Sequence, residues 1–153
     1  MYLTKNFSLD EFTISQTAIR NRIINTTNNE VINKIKVLCV KSLQPLREKL
    51  NKPIIITSGY RSETLNSIIG GSVNSQHCKG EVADIIISGM RACELFAYIL
   101  TSDILYDQVI LEFNRWVHIS YSQKKNRMNA LLAKHVNGKI VYEIFLRSTR
   151  FEI

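Results

Sequence analysis

Proline and glycine are scarce, 2 and 6 in 153 residues. That excludes a flexible linker or a low-complexity segment, and no internal repeat divides the chain. Cysteine is scarce too, and the three present, Cys39, Cys78 and Cys93, show no CxxC spacing. An odd count without that spacing argues against a disulfide framework and for reduced thiols. No apolar run approaches the roughly 20 residues that span a bilayer, so no transmembrane segment is expected. The start, "MYLTKNFSLDEF", lacks a basic stretch followed by an apolar one. No signal peptide is expected, and synthesis should be cytoplasmic.

What is present fits one globular domain over residues 1–153, with 45% hydrophobic and 22% charged residues. The net charge is +7, which attracts polyanions such as nucleic acid or a cell-wall polymer. The basic residues are scattered apart from "SQKKNR". No RNA-recognition, zinc-finger or helix-turn-helix signature accompanies them, so no stable nucleic-acid partner is expected.

The pattern along the chain reads α+β. "FSLDEF" suggests a helix start, with Ser8 as cap and Glu11 three residues on. "NNEVINKIKVLCVKSLQPLREKL" places apolar residues at helical spacing and predicts a long helix, kinked or restarted near Pro45. "KPIIITSGYRS" predicts a buried strand, "SETLNSII" a short helix and "GGSVNSQHCKG" a loop. "EVADIIIS" predicts a second strand, and "GMRACELFAYILTS" a helix that Ser88 can cap. "YDQVILEF" and "WVHISYS" predict two strands with a tight connection. Asn137-Gly138 between apolar runs predicts a terminal hairpin. Helices first and mostly antiparallel strands later define the class.

The chemistry starts with His77 and Asp84, seven residues apart, the carboxylate opening the apolar run "ADIII". A buried charge there is costly unless paired or bound to a cation. The two converge if His77 leaves a loop, Gly80 turns it and Asp84 sits on the strand. His118 in "WVHIS" offers a third ligand. A three-residue loop, Phe113-Asn114-Arg115, would pair Glu112 with Trp116. That register gathers Val109, Leu111, Val117, Ile119 and Tyr121 on a core face and puts Glu112, Trp116 and His118 on the other. Two imidazoles and one carboxylate suit zinc with an open position for water, and Glu112 suits a general base. On the residues alone, a purely structural role for His77 and Asp84 stands beside the metal one.

These stretches also resemble a family. "SQHCKGEVAD" resembles the S-x-H-x-x-G-x-A-x-D motif of the M15 zinc D-Ala-D-Ala peptidases, "WVHIS" their second histidine motif and "SGYRS" their upstream arginine motif. The order and spacing resemble the compact, phage-associated branch over roughly residues 1–145. The resemblance implies the zinc DD-peptidase and Hedgehog-type α+β fold, a central antiparallel sheet with N-terminal helices. It implies His77, Asp84 and His118 as ligands of one zinc ion, Arg61 as the group that binds a substrate carboxylate or polarises the scissile carbonyl, and Ser75 as support for the motif loop beside the substrate. Two positions depart from the pattern. Val82 replaces a small residue, and Arg115 stands where relatives often carry a catalytic Glu. Glu112 is then the candidate base and Asp107 the fallback.

The expectation is a zinc peptidase acting on peptidoglycan stem peptides, with catalytic Glu112 and Arg61 and with Arg61, Ser75 and Trp116 contacting substrate. Trp116 fits a core position equally well, and Tyr60 fits either cleft or core. Cys78 is expected to be an inert thiol and His135 an ordinary hairpin residue. A monomer is expected, reaching the wall through a lysis system. The rivals are a non-catalytic zinc-binding module of the same fold and a wall- or nucleic-acid-binding adaptor with a structural metal.

Overall fold

The computed structural model describes residues 1–145. Four short helical segments come first: α1 (Asp10–Thr13), α2 (Gln16–Arg20), α3 (Asn29–Leu38) and α4 (Gln44–Leu50). The expected long helix is α3 and α4 joined by one π-helical stretch, Cys39–Leu43. Pro45 explains it, because a proline has no N–H to bond the preceding turn and its ring crowds the carbonyl four residues back. At the N-terminus the cap differs from expectation. The α1 N-cap position is Leu9, but Glu11 still reaches back to accept from the Ser8 backbone N–H at 2.6 Å and its hydroxyl at 3.1 Å.

Strand β1 (Ile55–Ser58) follows, then α5 (Glu63–Ile69), α6 (Gln76–Lys79), β2 (Val82–Ile86) and α7 (Ala92–Thr101). Ser62 caps α5 through Leu65 N–H. The segment expected as a loop contains α6, one turn capped by Ser75 and ended by Gly80 at φ 75°. A β-carbon on Gly80 would lie 2.7 Å from Val31 Cγ1, so both the turn and the close packing on α3 require glycine. Ser88 does not cap α7. Arg91 is its N-cap, and Glu94 accepts from the Arg91 backbone N–H at 3.1 Å and from its guanidinium at 2.9 Å.

The last strands are β3 (Gln108–Glu112), β4 (Trp116–Ser120), β5 (Asn129–Val136) and β6 (Lys139–Ile144). Asn137 and Gly138 both take positive φ, as the expected hairpin turn needs. Leu146, at the end of that expected hairpin run, lies outside the described residues.

The six strands form one sheet in the order β1-β2-β4-β3-β5-β6. It is mixed, not antiparallel throughout, because β5 pairs with β3 in parallel. The free edge of β4 is already taken by β2. The chain leaving β4 therefore crosses to the open edge of β3, where its direction matches β3. Asp107 secures the crossover: its carbonyl accepts from Asn129 N–H and its carboxylate from Arg127 N–H at 2.8 Å.

One sheet face carries Ala83, Ile85, Val109, Val117 and Ile119, which join Leu38, Cys39, Leu43, Leu46, Leu95 and Ile99 in a single buried cluster. Each such Leu, Ile or Val contributes about 1.5–3 kcal/mol on burial. The other face is left for polar groups.

Candidate metal centre

Register places the three candidate ligands. Asp84 on β2 is the direct partner of His118 on β4, whose other neighbour is Ile110 on β3. His77 comes from α6, held over the sheet by the Ser75 cap behind it and the Gly80 turn after it. All three side chains are buried and offer ligand atoms within 4.8 Å of one another. Asp84 Oδ2 lies 3.5 Å from His77 Nε2, and Asp84 Oδ1 lies 3.1 Å from His118 Nδ1. Ligands at tetrahedral angles around zinc stand about 3.4 Å apart, so the donor set and its spacing fit that ion. The far nitrogen of His77, Nδ1, contacts the Gly59 carbonyl at 2.7 Å, which leaves Nε2 facing inward. Gly59 must be glycine there, since a β-carbon would come within 2.6 Å of the Phe12 backbone.

The buried carboxylate at the mouth of "ADIII" now has its reason. Burial pushes the Asp84 carboxyl upward, but hydrogen bonds to His118 and His77, with their charge, outweigh this and hold it well below the usual carboxylate range. Glu112 moves the other way. Burial and the neighbouring Asp84 charge raise its carboxyl, against smaller opposing effects of His118 and Arg61. Its Oε1 stands 3.5 Å from His118 Nδ1. Two carboxylates in one cleft are thereby pushed apart, one firmly ionised and one readier to take a proton.

Arg61 leaves the end of β1 and enters the same cleft. Among the described residues its guanidinium makes only long contacts, 3.4 Å to Asn66 Oδ1 and 3.5 Å to Ser58 Oγ, and its Nε is buried without a partner. Asn25 staples the backbone around it, accepting from Ser62 N–H at 2.7 Å and donating to the carbonyls of Thr13 and Tyr60. Nothing in the local sequence pattern marks Asn25 for this work. Ser75 lines the cleft, and its hydroxyl accepts from His77 N–H at 3.2 Å. Trp116 is half-buried and forms a cleft wall, with its indole N–H buried and unpaired among the described residues.

Asp107 is committed elsewhere. It is 3% exposed, accepts from Arg127 Nη2 at 2.7 Å and Nε at 3.0 Å, and accepts from Gln76 Nε2 at 3.1 Å. Tyr60 packs against the core and lies away from the cleft. His135 stacks on Phe113, ring centroids 4.3 Å apart. Cys78 is half-buried, and burial pushes its thiol up. The cleft itself measures about 630 Å³, and Leu131, Ile140 and Tyr142 of the terminal hairpin supply its apolar wall. A more apolar hollow of about 750 Å³ beside the β3–β4 turn holds none of the three candidate ligands.

Comparison with known proteins agrees with this geometry. The sequence model of the family described as peptidase M15 matches residues 5–120. The chain belongs to the peptidase M15 family. The matched stretch holds His77, Asp84, His118, Arg61 and Glu112, and it ends before the hairpin that walls the M15 cleft. A zinc D-Ala-D-Ala carboxypeptidase of Streptomyces albus G is 41% identical over 54 residues, 35% of this chain and 21% of that protein. The shared stretch thus spans about a fifth of that relative's length. The family match and a His-Asp-His donor set that could hold one metal ion thus fall in the same stretch of the chain. Among the described residues, no helix is long and apolar enough to cross a membrane.

Proposed function

We propose that this M15 domain hydrolyses an amide bond in peptidoglycan stem peptides, as a D-Ala-D-Ala carboxypeptidase or as an endopeptidase, with His77, Asp84 and His118 holding the zinc. The observation that carries the reading is the position of Glu112, a carboxylate with a raised pKa lying 3.5 Å from a ligand nitrogen and open to the cleft.

Bound zinc supplies Lewis acidity and a water made easier to deprotonate. Arg61 sits where it can bind a substrate carboxylate or the scissile carbonyl oxygen, because its guanidinium is only loosely held by the protein. In the first case it orients the peptide, and in the second it stabilises the oxyanion. Glu112 takes the proton of the attacking water as the C–O bond forms. It then returns that proton to the nitrogen as the C–N bond breaks, so the carboxylate is regenerated. Trp116 and the Ser75 side of the cleft flank the peptide. Hairpin residues Leu131, Ile140 and Tyr142 close the opposite wall.

Activity at the cell wall, after release by a lysis system, follows from that substrate and from the resemblance of the three motifs to the compact phage-associated branch. The deciding experiment is digestion of purified stem peptides of defined sequence, with products identified by mass. Release of a terminal D-Ala would assign the carboxypeptidase, and cleavage inside the stem the endopeptidase. No hydrolysis by zinc-loaded protein would overturn the proposal.

A further inference from the structure

Gln76 lies between Ser75 and His77, where the sequence gives it no role, yet its side chain turns inward and touches two functional groups. Its Nε2 donates to Asp107 Oδ2 at 3.1 Å, and its Oε1 lies 3.3 Å from His118 Nε2. Asp107 is a paired carboxylate, bound by the backbone N–H, Nε and Nη2 of Arg127 at 2.8, 3.0 and 2.7 Å. An ionised carboxylate only accepts hydrogen bonds. The Gln76 amide therefore has one sensible orientation, nitrogen toward Asp107 and oxygen toward His118.

An amide oxygen also only accepts, so the hydrogen on His118 must sit on Nε2. With a metal ion bound, the lone pair would then be on Nδ1, the atom that lies 3.1 Å from Asp84. His77 is arranged in mirror fashion: its Nδ1 meets the Gly59 carbonyl and its Nε2 faces Asp84. Each histidine thus presents a different nitrogen to the centre, one oriented by a backbone carbonyl and the other by a side chain.

We propose that Gln76 is a positioning residue for the metal, setting the tautomer and ring angle of His118, with the Asp107–Arg127 pair fixing Gln76 in turn. This rests on the reading that His118 is a zinc ligand. Outer partners of metal-bound histidines are worth about 10–100-fold in metal affinity.

The test is Gln76→Met, which keeps the length of the side chain and removes both hydrogen bonds. Zinc affinity should fall by about 10–100-fold, while the melting temperature of the zinc-free protein stays near that of the wild type. Nitrogen-15 NMR of the zinc-loaded wild type should show His118 bound through Nδ1 with a slowly exchanging Nε2–H, and that exchange should quicken in Gln76→Met. Wild-type zinc affinity in Gln76→Met would overturn the proposal. So would a wild-type spectrum with His118 bound through Nε2, a result that stands even if the variant fails to fold. A wild type that binds no zinc would instead sink the metal reading beneath it. Zinc binding without hydrolysis would sink only the peptidase assignment, leaving the Gln76 measurements to be read as above.

Discussion

Glu112 and Trp116 face each other as the last register pair before the β3–β4 turn. That one pairing sends Val109, Val117 and Ile119 into the core and Glu112 to the side of His118. The turn accommodates it by placing Phe113 and Asn114 at φ 53° and 58°. A loop one residue shorter would put Glu112 on the core face or His118 away from Asp84.

Glu112→Gln separates chemistry from metal binding. The amide keeps the size and hydrogen bonds of Glu112 but has no basicity. Turnover on a stem peptide should drop by roughly 10²–10⁴ with zinc content unchanged. A loss confined to zinc affinity would instead make Glu112 an outer partner of His118.

His118→Ala removes one of the three proposed ligands and opens a buried gap between Asp84 and Gln76. Metal analysis after dialysis should find the variant zinc-free under conditions where the wild type retains one ion per chain. Full, tight occupancy would dismiss His118 as a ligand.

Arg61→Lys keeps the charge but loses the planar fork. Hydrogen bonds to charged groups contribute about 1.5–3 kcal/mol, so kcat/KM should fall by roughly 10–100-fold. Unchanged kcat/KM would remove Arg61 from the mechanism.

Cys78→Ser tests the thiol beside His77. Its sulfur is no part of the His77, Asp84 and His118 cluster. Zinc content and turnover should both stay within tenfold of the wild type, and a larger loss in either would give Cys78 a role.

Asp107 sets an acid limit on stability. Burial raises its carboxyl, but bonds to Arg127 and Gln76 prevail and lower it. A folded pKa below the unfolded value of about 3.9 stabilises the fold above that pH and loses the effect as pH falls through the folded value. Asp107→Asn should therefore lower the urea midpoint at pH 7, and the gap to wild type should shrink at pH 3. An equal gap at both values would mean that the ion pair contributes little.

The clustering of His77, Asp84 and His118 was more legible in the sequence than the order of the sheet was. Parity alone identified the β3–β4 register, since a two-residue loop would have mixed apolar and polar faces. The Asn137-Gly138 turn was legible because its positive φ angles suit few other residues. Helix α6 was hidden, because four residues carry no periodicity and its limits depend on the Ser75 cap and Gly80. The parallel β3–β5 pair was hidden because it depends on which strand edge is already occupied. Asp107 looked like a spare base because its partner Arg127 is 20 residues away and meets it only after the chain has crossed the sheet.

The hairpin of β5 and β6 lies outside the segment matched to the family, residues 5–120, while the candidate ligands His77, Asp84 and His118 sit inside it. The three candidate ligands and the apolar hairpin wall of the cleft thus come from separate stretches of the chain. If stem peptides are the substrate as proposed, exchanging Leu131, Ile140 and Tyr142 should change which peptide is cut while the His77, Asp84 and His118 cluster stays in place. An expression boundary drawn at the edge of the family match would discard the cleft wall together with Arg127, the residue that holds Asp107 and through it Gln76 beside His118.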